Sequence, residues 1–164
     1  MLLNFRIMPK NIRIEWSETF DNDILDLARS ENTYLDLPQG IYMYVCNGPE
    51  QTGRIGKPLF ISCLSGNHFV SNIREQLIQN IGRYQLREMI HDHCGNSAGV
   101  MVGRVVKNNK EEVTASELQT LCKYLVGELN PPNNQLEEDI REVPVVKYHV
   151  DHMYQKRSRA KVVA

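Results

Sequence analysis

The sequence predicts an α+β domain, and three observations carry that prediction. Residues 12–16, 41–46 and 59–64 are rich in β-formers, and the first of them alternates apolar with polar, as half-buried strands do. Two stretches, residues 71–90 and one opening at Thr114, place apolar residues at helical spacing. The central order is strand, strand, helix, strand, helix, which calls for a small antiparallel or mixed sheet covered by helices.

At the N-terminus, the alternation Ile12-Arg13-Ile14-Glu15-Trp16 predicts a strand at a sheet edge. Residues 21–30 set Ile24, Leu25, Leu27 and Ala28 among acids, so a short helix is expected, capped by Asp21 or Asn22. Leu37-Pro38-Gln39-Gly40 ends that segment. The runs 41–46 and 59–64 are joined by residues rich in Gly, Asn and Pro and read as a hairpin with a long loop. Ile73, Leu77, Ile78, Ile81 and Tyr84 then predict one amphipathic helix over 71–90, with Gly82 as its weak point and a polar loop beyond it at His91-Asp92-His93-Cys94-Gly95-Asn96.

Residues 99–106 predict a third core strand. Thr114 and Glu117 match a capping box, so a second helix starts there and buries Leu118, Leu121, Cys122, Leu125 and Leu129 until Pro131-Pro132 stops it. An acidic patch, Glu137-Glu138-Asp139, a strand over 143–150 and a basic tail complete the chain. The organisation is therefore an N-terminal extension (1–37), a core (38–134), and a C-terminal strand with basic tail (135–164).

A chain of 164 residues is the size of one domain and long enough to bury a core without staples. The formal net charge of -1 gives no global attraction to nucleic acid, so any basic surface must be local. The tail supplies one in Lys156, Arg157, Arg159 and Lys161, beside Tyr148 and Tyr154. Cations interleaved with aromatics can grip phosphates and stack on bases; a solvated terminus explains the same residues. Cys46, Cys63, Cys94 and Cys122 form no CxxC pair, and no apolar leader is evident, so free thiols in the cytoplasm, or in the nucleus of a eukaryotic host, are expected. No apolar run reaches membrane-spanning length, so no membrane association is expected.

The phrases Gly40-Ile41-Tyr42 and Leu129-Asn130-Pro131-Pro132-Asn133-Asn134, bracketing this element series, resemble the opening and closing marks of the GIY-YIG nuclease family. The resemblance covers residues 38–134. It implies a ββαβα core and DNA as partner, with phosphodiester hydrolysis by one divalent ion, Mg2+ or Mn2+. In that reading Tyr42 orients or deprotonates the attacking water, Arg74 counters the phosphate charge, and Glu117 holds the metal. Of the two nearby phenols, only Tyr42 is expected to face the cleft, and Tyr44 to point away from it.

The sequence departs from the family between the brackets. Phe60-Ile61-Ser62 stands where a Tyr-Ile-Gly triplet is expected. A gapless reading of residues 72–77 puts Gln76 in the arginine's place, and counting back from Asn134 puts Leu121 or Cys122 in the glutamate's. Glu117 has a second explanation, as partner of Thr114 in the capping box. Loss of catalysis, with the fold retained as a module binding DNA or protein, is the alternative these substitutions motivate. His91, His93 and Cys94, with His149 and His152, contain metal-ligating residue types, but their spacing matches no zinc finger and solvated positions are expected.

Overall fold

The computed structural model describes residues 10–46, 58–66, 69–95, 98–108, 110–132, 134 and 148–155. Its strands are β1 (Lys10–Trp16), β2 (Phe20–Asp21), β3 (Gln39–Cys46), β4 (Pro58–Ser65), β5 (Ala98–Lys107) and β6 (Tyr148–Tyr154). The helices are α1 (Ile24–Arg29), α2 (Ile73–Ile81), α3 (Tyr84–Cys94) and α4 (Ala115–Leu129), with a 3-10 turn at Thr33–Asp36. The molecule is α+β, and the segment from β3 to α4 follows the expected strand, strand, helix, strand, helix order, with two helices in the first helical position.

Among the described residues the strands share one six-stranded sheet in the order β4-β3-β5-β1-β6, with β2 pairing beside β5. The pairs are antiparallel except β1 with β6, which run parallel from Lys10 opposite Tyr148 to Trp16 opposite Tyr154. Strands from the N-terminal, central and C-terminal segments thus contribute to a common sheet. β1 lies between β5 and β6 instead of at the edge, because β6 covers its outer side.

The helices sort onto the two faces. On one, Ile12, Ile14, Trp16, Ile41, Met43, Val45, Ile61 and Met101 pack with Leu118, Leu121, Cys122, Leu125 and Val126 of α4. On the other, Phe20, Tyr42, Tyr44, Val100 and Val102 pack with Leu27 of α1, Ile73 and Leu77 of α2, and Leu86 and Ile90 of α3. β3 is buried on both sides, which its nearly continuous run of β-formers permits.

Two glycines are demanded by this packing. A β-carbon on Gly103 would stand 2.7 Å from Ile14 Cγ2 and 3.0 Å from Trp16 Cζ3. On Gly40 it would stand 2.9 Å from the Gly103 carbonyl oxygen. The first letter of the Gly40-Ile41-Tyr42 phrase is therefore a requirement of sheet packing.

Several sequence expectations are corrected. The helix expected over 71–90 is two: the chain turns at Gly82, whose N–H bonds back to Gln79, and α3 restarts at Tyr84 and runs through the expected His91–Cys94 loop. The cap of α1 is Asp23, whose carboxylate accepts from the N–H groups of Leu25 and Asp26. Leu129 is 38% exposed and Val126 takes its place in the buried stripe of α4. β6 runs to Tyr154, beyond the expected end at 150; residues 143–147 of the expected strand lie outside the described residues. Finally, Cys46 and Cys94 form a disulfide, with Cα atoms 5.3 Å apart, because the end of β3 meets the end of α3. Cys63 and Cys122 form no disulfide, and the Cys46–Cys94 bridge overturns the expectation of four free thiols from which a reducing compartment was argued.

Candidate functional site

Tyr42 sits on β3 between Ser62 of β4 and Val102 of β5, and is 3% exposed. Its neighbour two residues on, Tyr44, lies on the same sheet face, as the period of a strand requires, with ring centroids 6.0 Å apart in an edge-to-face arrangement. The expectation that only one of the two phenols faces this side is therefore corrected. The side chain they both meet is Asn80 of α2, itself 2% exposed.

Asn80 Nδ2 donates to the Tyr44 hydroxyl at 3.3 Å, and Asn80 Oδ1 accepts from Gln76 Nε2 at 2.9 Å. Ser62 and Asn80 bond to Tyr42 and ease its ionisation, but burial outweighs them and pushes the phenol above its ordinary value. Burial likewise raises Tyr44. A buried phenol held in its neutral form is a poor base at neutral pH. Gln76, which a gapless reading puts in the arginine's place, is part of a neutral amide and phenol network.

Arg74 is in the first turn of α2 and faces the end of α1. Its Nη1 donates to the carbonyls of Leu27 and Ser30, the latter at 2.7 Å, and its Nη2 meets Asp36 Oδ1 at 3.1 Å. Those carbonyls close a helix C-terminus, where positive charge is favourable. The guanidinium therefore joins α1, the 3-10 turn and α2, and its side chain is only 18% exposed.

Glu117 lies at the start of α4, on the opposite sheet face from Tyr42. Its Oε1 accepts from Lys107 Nζ at 2.6 Å and from the Thr114 N–H at 3.3 Å, while Thr114 Oγ1 accepts from the Glu117 N–H at 3.2 Å. The capping box read from sequence is complete. Lys107 first, then Thr114, hold the carboxyl below the usual carboxylate range. In the stretch that the resemblance assigns to the metal-binding glutamate, Leu121 and Cys122 are buried in the core.

The donor set does not suit a divalent ion. Among the described residues no three His, Cys, Asp or Glu side chains are grouped where one ion could take them, and the Glu117 carboxylate is already matched to Lys107. His91 and His93 lie in the last turn of α3, and Cys94 is in the disulfide.

Two polar features went unread in the sequence. Asn134, the last letter of the closing phrase, is 3% exposed and grips the edge strand: its Oδ1 accepts from the Ile61 N–H at 2.8 Å and its Nδ2 donates to the Ile61 carbonyl at 2.9 Å. The phrase marked the position, but not the partner. At the other edge, Trp16 Nε1 donates to His152 Nδ1 at 2.9 Å, and His152 stacks on Tyr154. Tyr148 is buried against Tyr124, so of the two tail-side tyrosines only Tyr154 stands exposed. Lys156, Arg157, Arg159 and Lys161 lie outside the described residues, as do Glu137, Glu138 and Asp139.

Comparison with protein-family models, with curated proteins and with solved structures finds no match to this chain.

Proposed function

We propose that this chain is a nucleic-acid-binding module built on a GIY-YIG-like framework, without phosphodiester hydrolysis. The observation that carries the reading is the dispersal of the three residues assigned to catalysis. Tyr42 and Arg74 belong to the layer of α1, α2 and α3, Glu117 belongs to α4 across the sheet, and each is engaged by protein partners. In-line hydrolysis needs a water activator, a phosphate clamp and a metal ligand around one reacting atom. DNA is favoured as partner by the cations at Lys156, Arg157, Arg159 and Lys161 and by the resemblance of the bracketing phrases Gly40-Ile41-Tyr42 and Leu129-Asn130-Pro131-Pro132-Asn133-Asn134 to those of a nuclease family.

Supercoiled plasmid incubated with Mg2+ or Mn2+ provides the test, alongside fluorescence anisotropy with labelled DNA. The expected result is binding that weakens with salt and no nicking under either metal. Nicking that disappears in Tyr42→Phe and Glu117→Gln would return the protein to the hydrolases.

A further inference from the structure

We infer that Cys63 and Cys122 are a peroxide-reactive thiol pair, Cys63 the nucleophile and Cys122 the thiol that resolves it into a disulfide joining β4 to α4. The placement follows from the periods of a strand and a helix. On β4, Ile61, Cys63 and Ser65 alternate onto the face that α4 covers. Ile61 belongs to the core beneath α4, Cys63 packs against that core, and Ser65 Oγ accepts from Gln119 Nε2 at 3.0 Å. On α4, Gln119 and Cys122 are three residues apart and share one face. One step along the strand and one turn along the helix from the Ser65–Gln119 bond therefore bring Cys63 to Cys122, whose thiol donates a hydrogen bond to Cys63. One step further along β4, the Asn134 carboxamide clasps Ile61, so the pair is flanked on both sides by fixed contacts.

The two sulfurs are unequal. Cys63 is half-buried on a strand at one end of the described sheet, which admits a small solute, whereas Cys122 is 9% exposed. The bond from Cys122 favours the Cys63 thiolate and holds it below the ordinary thiol value, against the opposing effect of burial. Thiolate is the form that attacks a peroxide. In the first step Cys63 sulfur bonds one peroxide oxygen, the O–O bond breaks, and hydroxide leaves to take up the proton that Cys63 gave up. Cys122 sulfur then attacks the resulting sulfenic acid; the S–S bond forms, the S–O bond breaks, and hydroxide departs with the Cys122 proton as water. The two thiols lose two electrons and two protons, and one peroxide becomes two waters. The sulfurs need only move from hydrogen-bonding contact to the roughly 2.05 Å of a disulfide. The Cys46–Cys94 bridge ties a helix to the sheet on the opposite face, so oxidation would leave one bridge on each face.

Peptide mass mapping after treatment with a few equivalents of hydrogen peroxide and blocking with N-ethylmaleimide tests the assignment. The expected product is a Cys63–Cys122 peptide pair within one chain, lighter by two hydrogen atoms than the reduced peptides, and a thermal midpoint higher by about 5–10 °C. Cys122→Ala should stop at a sulfenic acid on Cys63 that dimedone traps, with no rise in the midpoint. Cys63→Ala should leave Cys122 unmodified. The parent protein alone gives a second measurement should those variants not fold: iodoacetamide should label Cys63 at least ten-fold faster than Cys122, with a half-maximal rate below about pH 8.5. Sulfenic or sulfinic acid accumulating on Cys63 of the parent without the cross-link overturns the resolving role of Cys122. Faster labelling of Cys122, or a folded parent in which neither thiol reacts, overturns the pair altogether.

Discussion

At the scale of single residues, side chains that the motif match singles out are engaged in holding the fold together. Asn134 is the clearest case, because its carboxamide satisfies both backbone groups of Ile61 on the outer edge of β4. Asn134→Ala leaves those groups buried and unmatched, and unfolding in urea should show a loss of about 2–4 kcal/mol. Arg74→Met should lower thermal stability while leaving oligonucleotide affinity unchanged, since the guanidinium serves α1 and Asp36. The Trp16–His152 bond gives a pH dependence. His152 accepts through Nδ1 and burial depresses its affinity for a proton below the ordinary 6.5. The unfolded chain therefore binds that proton more readily, so the contribution is complete above the unfolded value and is lost as pH falls through the lower folded value. The Asp151 charge opposes the shift without reversing it. Thermal midpoints measured from pH 7.5 downward should fall below about pH 6.5, and His152→Gln should flatten that fall.

At the scale of elements, legibility followed the strength of local patterns. β3, β4, β5 and α4 were readable because β-formers, turn residues and a complete capping box coincide in them. The α2–α3 break was not, since Tyr84 continues the helical spacing beyond Gly82 although its side chain is 68% exposed. The run of β6 beyond 150 went unread for a similar cause: its positions past Val150 on that face are His152 and Tyr154, which do not mark a buried face. The disulfide had no local signal at all, because it depends on where a strand end and a helix end meet. It closes a loop of 48 residues, and Cys46→Ser with Cys94→Ser should cost roughly 2–4 kcal/mol in denaturant unfolding. Dithiothreitol should do the same to the parent protein and leave the double variant unmoved.

At the scale of the whole molecule, helices pack on both faces of a six-stranded sheet, and among the described residues no three His, Cys, Asp or Glu side chains are grouped to hold an ion. The same thermal midpoint is expected in EDTA as in Mg2+, by scanning calorimetry; a rise with Mg2+ would reveal an ion-binding site. No helix among the described residues is long and apolar enough to cross a membrane. The general shape of the core was legible from sequence, whereas the candidate site was not, because the fate of Tyr42, Arg74 and Glu117 depends on which layer each element joins. The parallel pairing of β1 with β6 also governs the order of assembly. Trp16 and His152 are 136 residues apart, so during synthesis the inner face of β1 is made long before the strand that completes its edge. Such distant contacts slow folding and leave apolar surface open to wrong partners in the meantime. Closure of β6 should therefore be a late step on the ribosome, and a nascent chain released before Tyr148 is expected to depend on chaperones to stay unaggregated.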